Sequence, residues 1–316
     1  MTTRMTARWL PWLMGAAALA GLVLLVAHSS DEREFVSLIR QARPSWLLWA
    51  LCLQAATYAA QAEIWRLVLR RVGAHLPFGV AYRLSLAKLF VDQALPSMGV
   101  SGAVVVTQAL QARGEPRPVL MAAVTVDTAS YFAAYVLCLA AALVILIGQG
   151  HASALVLAVA GLFFVFGTSL AVGVLSLSGR DPGHWAVRLL KVPGIGRALA
   201  LLRQAEPQLA RNPSVLVRST VLQVAIAVLD AATIWVLIRA LGTDASPGAV
   251  FASFMISSLL RTFGFMPGGL GTFEAASVAT LALIGIPVPV GLSATLLFRG
   301  RASGSRWCPA SLSPAG

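Results

Sequence analysis

Residues 261–287 read RTFGFMPGGLGTFEAASVATLALIGIP, setting Arg261, Pro267, Gly268, Gly269, Gly271 and Glu274 in a run otherwise apolar enough for a membrane interior. Proline removes a backbone donor and clashes with the preceding turn, and glycine permits the positive φ that a chain reversal needs. The pattern predicts a break, then a new helix with Thr272 at its N-cap and Glu274 in its first turn. A second stretch has the same form. Residues 84–110, LSLAKLFVDQALPSMGVSGAVVVTQAL, carry Pro96, Gly99 and Gly102 near their middle.

Composition decides the solvent. The 316 residues are 58% hydrophobic and 11% charged, with mean hydropathy +0.80, whereas soluble domains carry about 25% charged residues. The expected fold is an all-α polytopic integral membrane protein with roughly six to eight transmembrane helices and two opposed broken helix pairs. Crossings are read at Trp9 to Ala27, Trp46 to Leu69, Val119 to Ile147, Ala152 to Leu177 and Val215 to Ile238. For the first, Arg4, Arg8 and the Ala27-His28-Ser29 sequence also fit a signal peptide. Its apolar run exceeds the usual h-region of about 7 to 15 residues, which favours an uncleaved anchor.

The net charge of +12 does not point to nucleic acid, because the basic residues flank apolar runs instead of clustering among aromatic platforms. Cys52, Cys138 and Cys308 show neither paired CxxC nor Cys/His spacing, so no disulfide framework, metal site or cofactor is expected.

Basic residues also order the broken regions through the positive-inside rule. If residues 84–110 crossed once, the loop holding Arg180, Arg188, Lys191, Arg197, Arg203, Arg211 and Arg218 would lie outside. If the segment dips in and returns, the N-terminus, Arg113, Arg117 and that loop are all cytoplasmic. The re-entrant reading is preferred. The second broken region then enters from the opposite face, so the breaks point at each other, as in transporters built from inverted repeats. A packing kink without transport is the alternative.

LPSMGVSGAVVVTQALQARGEPRPVLMAAVTVD followed by RTFGFMPGGLGTFEAASVATLALIGIP resembles the paired signature of the flippase-like family related to the transmembrane region of lysylphosphatidylglycerol synthase. The resemblance covers nearly the whole chain. It implies a bacterial inner-membrane, multi-pass protein that moves lipids or lipid-linked head groups between leaflets. No aminoacyl-transfer module is expected here, so the synthase activity is not carried over. A separate lipid-modifying enzyme is a possible partner.

Charges inside membrane segments are expensive and functional by default. Asp127, Asp230, Arg261 and Glu274 are the candidates, with Pro96, Gly99, Gly102, Pro267, Gly268, Gly269, Gly271 and Thr272 as the backbone of the site. For both aspartates the alternative is a packing carboxylate bonded to Ser or Thr; Thr125 and Thr128 flank Asp127. Glu274 has two readings. Either it caps its helix and pairs structurally with Arg261, or the pair opens to receive a zwitterionic or phosphate-bearing head group, with Arg261 taking the phosphate. Lys88 with Asp92, and Glu63 with Arg66, read as local salt bridges or anchors. The loop HWAVRLLKVPGIGRALALLRQAEPQLARNP reads as a helix lying on the inner leaflet or as a plain connector.

The interruptions thus predict a polar midplane pocket for membrane lipids, moved passively or coupled to protons through Glu274 or Asp230. A membrane transferase on a lipid phosphate and a non-transporting scaffold or biogenesis partner are the competing readings. One domain is expected over residues 1–298. The tail, GRASGSRWCPASLSPAG, departs from the family's apolar continuation after Arg299, and another reading frame across Ser305 to Ser311 can encode Pro-Met-Val-Pro-Gly-Leu. A frameshift and a divergent, disordered tail over 299–316 are the two readings.

Overall fold

Proline opens and glycine closes the main helices. Helix α1 (Pro44–Arg71) and helix α7 (Pro213–Ala240) both have proline in the first helical turn, where its missing donor costs nothing. The side chain of Asn212 caps α7, accepting from the amides of Ser214 at 3.1 Å and Val215 at 3.3 Å. After α1, Gly73 takes φ 77°; its amide donates to Arg70, and the Ala74 amide donates to Leu69. This double closure satisfies the last carbonyls and requires a left-handed residue. It recurs at Gly114, Gly242 and Gly285.

The computed structural model describes residues 42–94, 100–148, 154–178, 204–263 and 272–303. Among them it has ten helices and no strand. Between and after α1 and α7 run α2 (Phe78–Ala94), α3 (Val100–Gln111), α4 (Arg117–Gly148), α5 (Ala154–Leu177), α6 (Pro207–Ala210), α8 (Pro247–Phe263), α9 (Thr272–Leu283) and α10 (Val288–Ser303). The anticipated crossing from Trp9, the breaks at Pro96, Gly99, Pro267, Gly268, Gly269 and Gly271, residues 179–203 of the basic loop and the tail past Ser303 lie outside the described residues.

Arg117–Gly148, Ala160–Leu177 and Pro213–Ala240 are long and apolar enough to cross a membrane. Helix α1 matches α7 at 28 residues but is not in that class. Gln54, Thr57, Gln61, Glu63 and Arg66 dilute it, a feature its designation as a plain crossing overlooks. Leu162, Phe164, Val165 and Val172 on α5, and Val217 and Val221 on α7, are exposed, as lipid-facing positions are.

The chain is built from two copies of one unit. Helices of 28, 17 and 12 residues follow one another as α1, α2, α3 and again as α7, α8, α9. Pro44, Gln54, Gly73, Gly79, Gly114, Pro116 and Pro118 fall at the positions of Pro213, Gln223, Gly242, Gly248, Gly285, Pro287 and Pro289. The copies are inverted. Helices α1 and α7 pack along their length, with the Arg43 amide on the Ala240 carbonyl at 3.0 Å at one end and Arg71 on Ser214 Oγ at 2.5 Å at the other. The pair is therefore antiparallel, related by a pseudo-two-fold axis across its middle.

Two apolar clusters occupy the ends of this pair. One gathers Trp65, Leu69, Leu76, Leu110, Leu120 and Val215; the other gathers Ile234, Leu237, Val250, Met255, Leu281 and Ile286. In each unit the start of the 17-residue helix and the end of the 12-residue helix belong to the same cluster, through Ala81 with Leu110 and Val250 with Leu281. The two helices also pack on each other.

The antiparallel register is testable by cross-linking in a variant whose native cysteines are replaced. Thr57→Cys with Asp230→Cys should link through a short bis-thiol reagent, because the native side chains meet at 3.2 Å. Thr57→Cys with Ser214→Cys, separated by about four turns of α1, should not.

Candidate functional site

Between the two apolar clusters the bundle has a polar waist. On α1 it consists of Gln54, Thr57, Tyr58 and Gln61, spaced so that they share one helix face. None of the α1 residues in either buried cluster comes from this stretch; they stop at Ala50 and resume at Ala62. The Thr57 hydroxyl lies 3.2 Å from Asp230 Oδ1 and 3.2 Å from its own helix carbonyl at Leu53. Its single proton serves one of these at a time. Tyr58 hydrogen-bonds the Gln54 side chain and stands edge-on to Tyr82 of α2, with ring centroids 6.3 Å apart.

Asp127 of α4 is buried at this level. Its Oδ1 accepts from Gln61 Nε2 at 2.9 Å and from Gln223 Nε2 at 3.0 Å, and Lys88 Nζ lies 3.6 Å from Oδ2. Lys88 thus makes a cross-helix ion pair with Asp127; its anticipated local pairing with Asp92 lies outside the described residues. Thr125 bonds the Met121 carbonyl at 2.9 Å, so the Asp127 carboxylate is held by amides and an ammonium, which stabilise a charged acid better than a hydroxyl does. The Glu63 to Arg66 bridge forms as expected, at 2.6 Å, near the end of α1.

The second buried pair lies in the other unit. Helix α9 starts at Thr272, with Glu274 in its first turn. Glu274 is 2% exposed, and its Oε1 accepts from Arg299 Nη1 of α10 at 2.7 Å. The Arg299 guanidinium also lies 5.7 Å from the Phe273 ring centroid. Just beyond, Ser277 meets Thr295 at 2.9 Å, and Thr280 meets Ser253 at 2.7 Å and Ser257 at 3.0 Å. Arg261, the partner expected for Glu274, lies in the last turn of α8, its side chain outside the description. Gly102 is buried in α3, and Thr272 is half-buried. Arg299, read from sequence as the start of the tail, is inside α10, which continues to Ser303.

Arg117 and Val288 begin α4 and α10 at opposite ends of the bundle, one by Val119 of the first cluster and the other by Val290 of the second. Asp127 and Arg299 lie about 15 Å along these helices at 1.5 Å per residue.

A family model described as lysylphosphatidylglycerol synthase TM region matches residues 12–302. The chain belongs to that family. With the apolar helices above, membership in this transmembrane-region family makes it a lipid-related, multi-pass membrane protein. No curated protein matches the chain.

Removing one partner of a buried ion pair costs about 3–5 kcal/mol, whereas replacing both by apolar groups is often neutral. Arg299→Met should therefore destabilise the detergent-solubilised protein by about that amount, and Glu274→Met with Arg299→Met should restore most of it, measured by thermal unfolding. Equal losses in the single and double variants would contradict the pairing.

Proposed function

We propose that this protein is a lipid translocase of a bacterial inner membrane, passing a phospholipid or lipid-linked head group across the bilayer through the polar waist while the tails stay in lipid. The observation that carries the reading is the Glu274–Arg299 pair, buried at 2.7 Å in a family of membrane proteins. A charge at the bilayer centre costs about 2.5–3.5 kcal/mol on insertion scales, and such residues mark substrate paths.

Further support comes from the helix pairs α2–α3 and α8–α9. Each starts and ends in one cluster, which fits a hairpin that enters the membrane and returns to its own face. Non-helical backbone at that depth is tolerated where it is buried or lines a wet cavity, and opposed broken helices are how many transporters build a midplane site. Arg66, Arg70, Arg71, Arg113, Arg117 and Arg218 gather at the end where α1 finishes. The other end has Arg43 and Arg239 with the Trp46–Trp235 pair. By the positive-inside rule the first end is cytoplasmic, as is the N-terminus.

In this reading Arg299, with Arg261 on the neighbouring helix, takes the phosphate, and Glu274 or Asp230 takes a positive group or a proton. The protein moves its lipid without chemical change, and a separate lipid-modifying enzyme supplies or consumes that lipid. Reconstitution into vesicles with a tail-labelled phospholipid tests this. Glu274→Gln and Arg261→Ala should each reduce translocation at least about tenfold at normal insertion, while Glu63→Gln, in a partly exposed bridge, changes it less than about twofold. Wild-type rates in both site variants, or no translocation by the wild type, would overturn the reading.

A further inference from the structure

Lys88 and Asp127 resemble a structural ion pair until their surroundings are followed towards the face where α2 begins. Their side chains keep 18% and 12% exposure, so the pair is not sealed. One helical turn from Gln61 on α1 is Trp65, and one turn from Gln223 on α7 is Ser219; residues so spaced share a helix face. Trp65 Nε1 and Ser219 Oγ are buried without a hydrogen-bond partner among the described residues. The register of α1 on α7 places both between the Gln61–Gln223 level and the Arg71–Ser214 contact. Unpaired buried polar atoms are unfavourable, and a native fold keeps few of them. Here a donor and a hydroxyl lie one helical turn from the two amides that hold Asp127.

Towards the surface, a file of rings continues from this level. Tyr58 meets Tyr82, Tyr82 lies 5.9 Å from Phe78, and the Arg66 guanidinium lies 5.5 Å from the Phe78 ring centroid. Phe78 is exposed. Aromatic faces beside cations suit an ammonium-bearing head group, and the guanidinium suits its phosphate.

We propose that Lys88 and Asp127, with Gln61, Gln223, Trp65 and Ser219, form a second head-group station on the α2 side of the waist, taking a zwitterionic head group that carries both phosphate and ammonium. The inference rests on the translocation reading above. The pseudo-two-fold supplies the relation between stations: α4 brings Asp127 inward from one face, and α10 brings Arg299 inward from the other. On entry the head group exchanges the Lys88–Asp127 pair for two new ones, phosphate on Lys88 and ammonium on Asp127. The Trp65 N–H and Ser219 O–H donate to phosphate oxygens. Gln61 and Gln223 hold the carboxylate in place throughout. A purely anionic head group leaves Asp127 facing like charge, so the station discriminates against it.

The test compares tail-labelled phosphatidylethanolamine with tail-labelled phosphatidylglycerol in proteoliposomes holding the full chain. The wild type should move the zwitterionic lipid at least about tenfold faster, one ion pair's discrimination; equal rates overturn the assignment. Replacing Lys88→Met and Asp127→Asn together removes both charges while leaving a side-chain oxygen to accept from Gln61 and Gln223, a change that a structural role tolerates. The double variant should keep its unfolding temperature and lose about tenfold or more of zwitterionic translocation. Ser219→Ala, which deletes an unpaired hydroxyl, should hold or raise stability, and Trp65→Phe, which removes the indole N–H but leaves a cavity in the apolar cluster, should lower the unfolding temperature modestly; both should slow transport. If these three variants move lipid at wild-type rates while Glu274→Gln is inactive, the second station is wrong and the translocase reading stands. If the double variant does not fold, Ser219→Ala and Trp65→Phe decide alone. A wild type that moves neither lipid overturns both.

Discussion

The antiparallel contact of α1 with α7 is the constraint on which the rest of the bundle depends. Because the two helices are equal in length and run in opposite directions, everything attached to their ends is delivered to opposite faces. The Gly73 turn sends α2 back along α1 from one face, and the Gly242 turn sends α8 back along α7 from the other. Helices α4 and α10 then leave the Gly114 and Gly285 turns towards the centre. Had α1 and α7 run parallel, Asp127 and Arg299 would have been carried in from the same side.

The waist exists because Gln54, Gln61, Gln223 and Asp230 stand at the middle of this pairing, where apolar side chains would otherwise pack. The positions are two-fold related: Gln54 matches Gln223, and Gln61 matches Asp230. Asp127 is compensated by two amides and Lys88, and Glu274 of the second unit by Arg299. Compensation makes burial tolerable without making it favourable, since desolvation offsets most of the Coulomb gain. Interiors built only for stability would use leucine at these positions. Under the proposed translocation, exchange of these pairs for a lipid's charges is the use that outweighs the cost.

Much of this was legible in the sequence, and what was not has physical causes. Apolar run length located α4, α5 and α7, since a membrane helix must hide its backbone over a fixed thickness. Proline and glycine predicted breaks at Pro96 and Gly99 and at Pro267 to Gly271, which lie outside the described residues. Asp127, Asp230 and Glu274 stood out as charges in apolar sequence, and the partners of Asp127 and Glu274 did not. Lys88 was read with Asp92 because spacing along one helix is visible; the approach of Asp127 from another helix is not. Arg299 was set aside with the tail because composition changes just after it. The repeat was suspected only at its breaks; the stronger signal was the matched file of Pro44, Gln54, Gly73 and Gly79 with Pro213, Gln223, Gly242 and Gly248. The four polar residues of α1 are individually unremarkable, and their shared face becomes a signal only when α1 is taken as a membrane helix.

The central claim is that two inverted units deliver their turns to opposite faces and their charges to a common waist. Single cysteines at Arg113 and Ile284, beside the Gly114 and Gly285 turns, test it most directly in sealed, oriented vesicles treated with a membrane-impermeant thiol reagent. The account predicts that Arg113→Cys reacts only from the cytoplasmic side and Ile284→Cys only from the opposite side. Labelling of both positions from one side would contradict it.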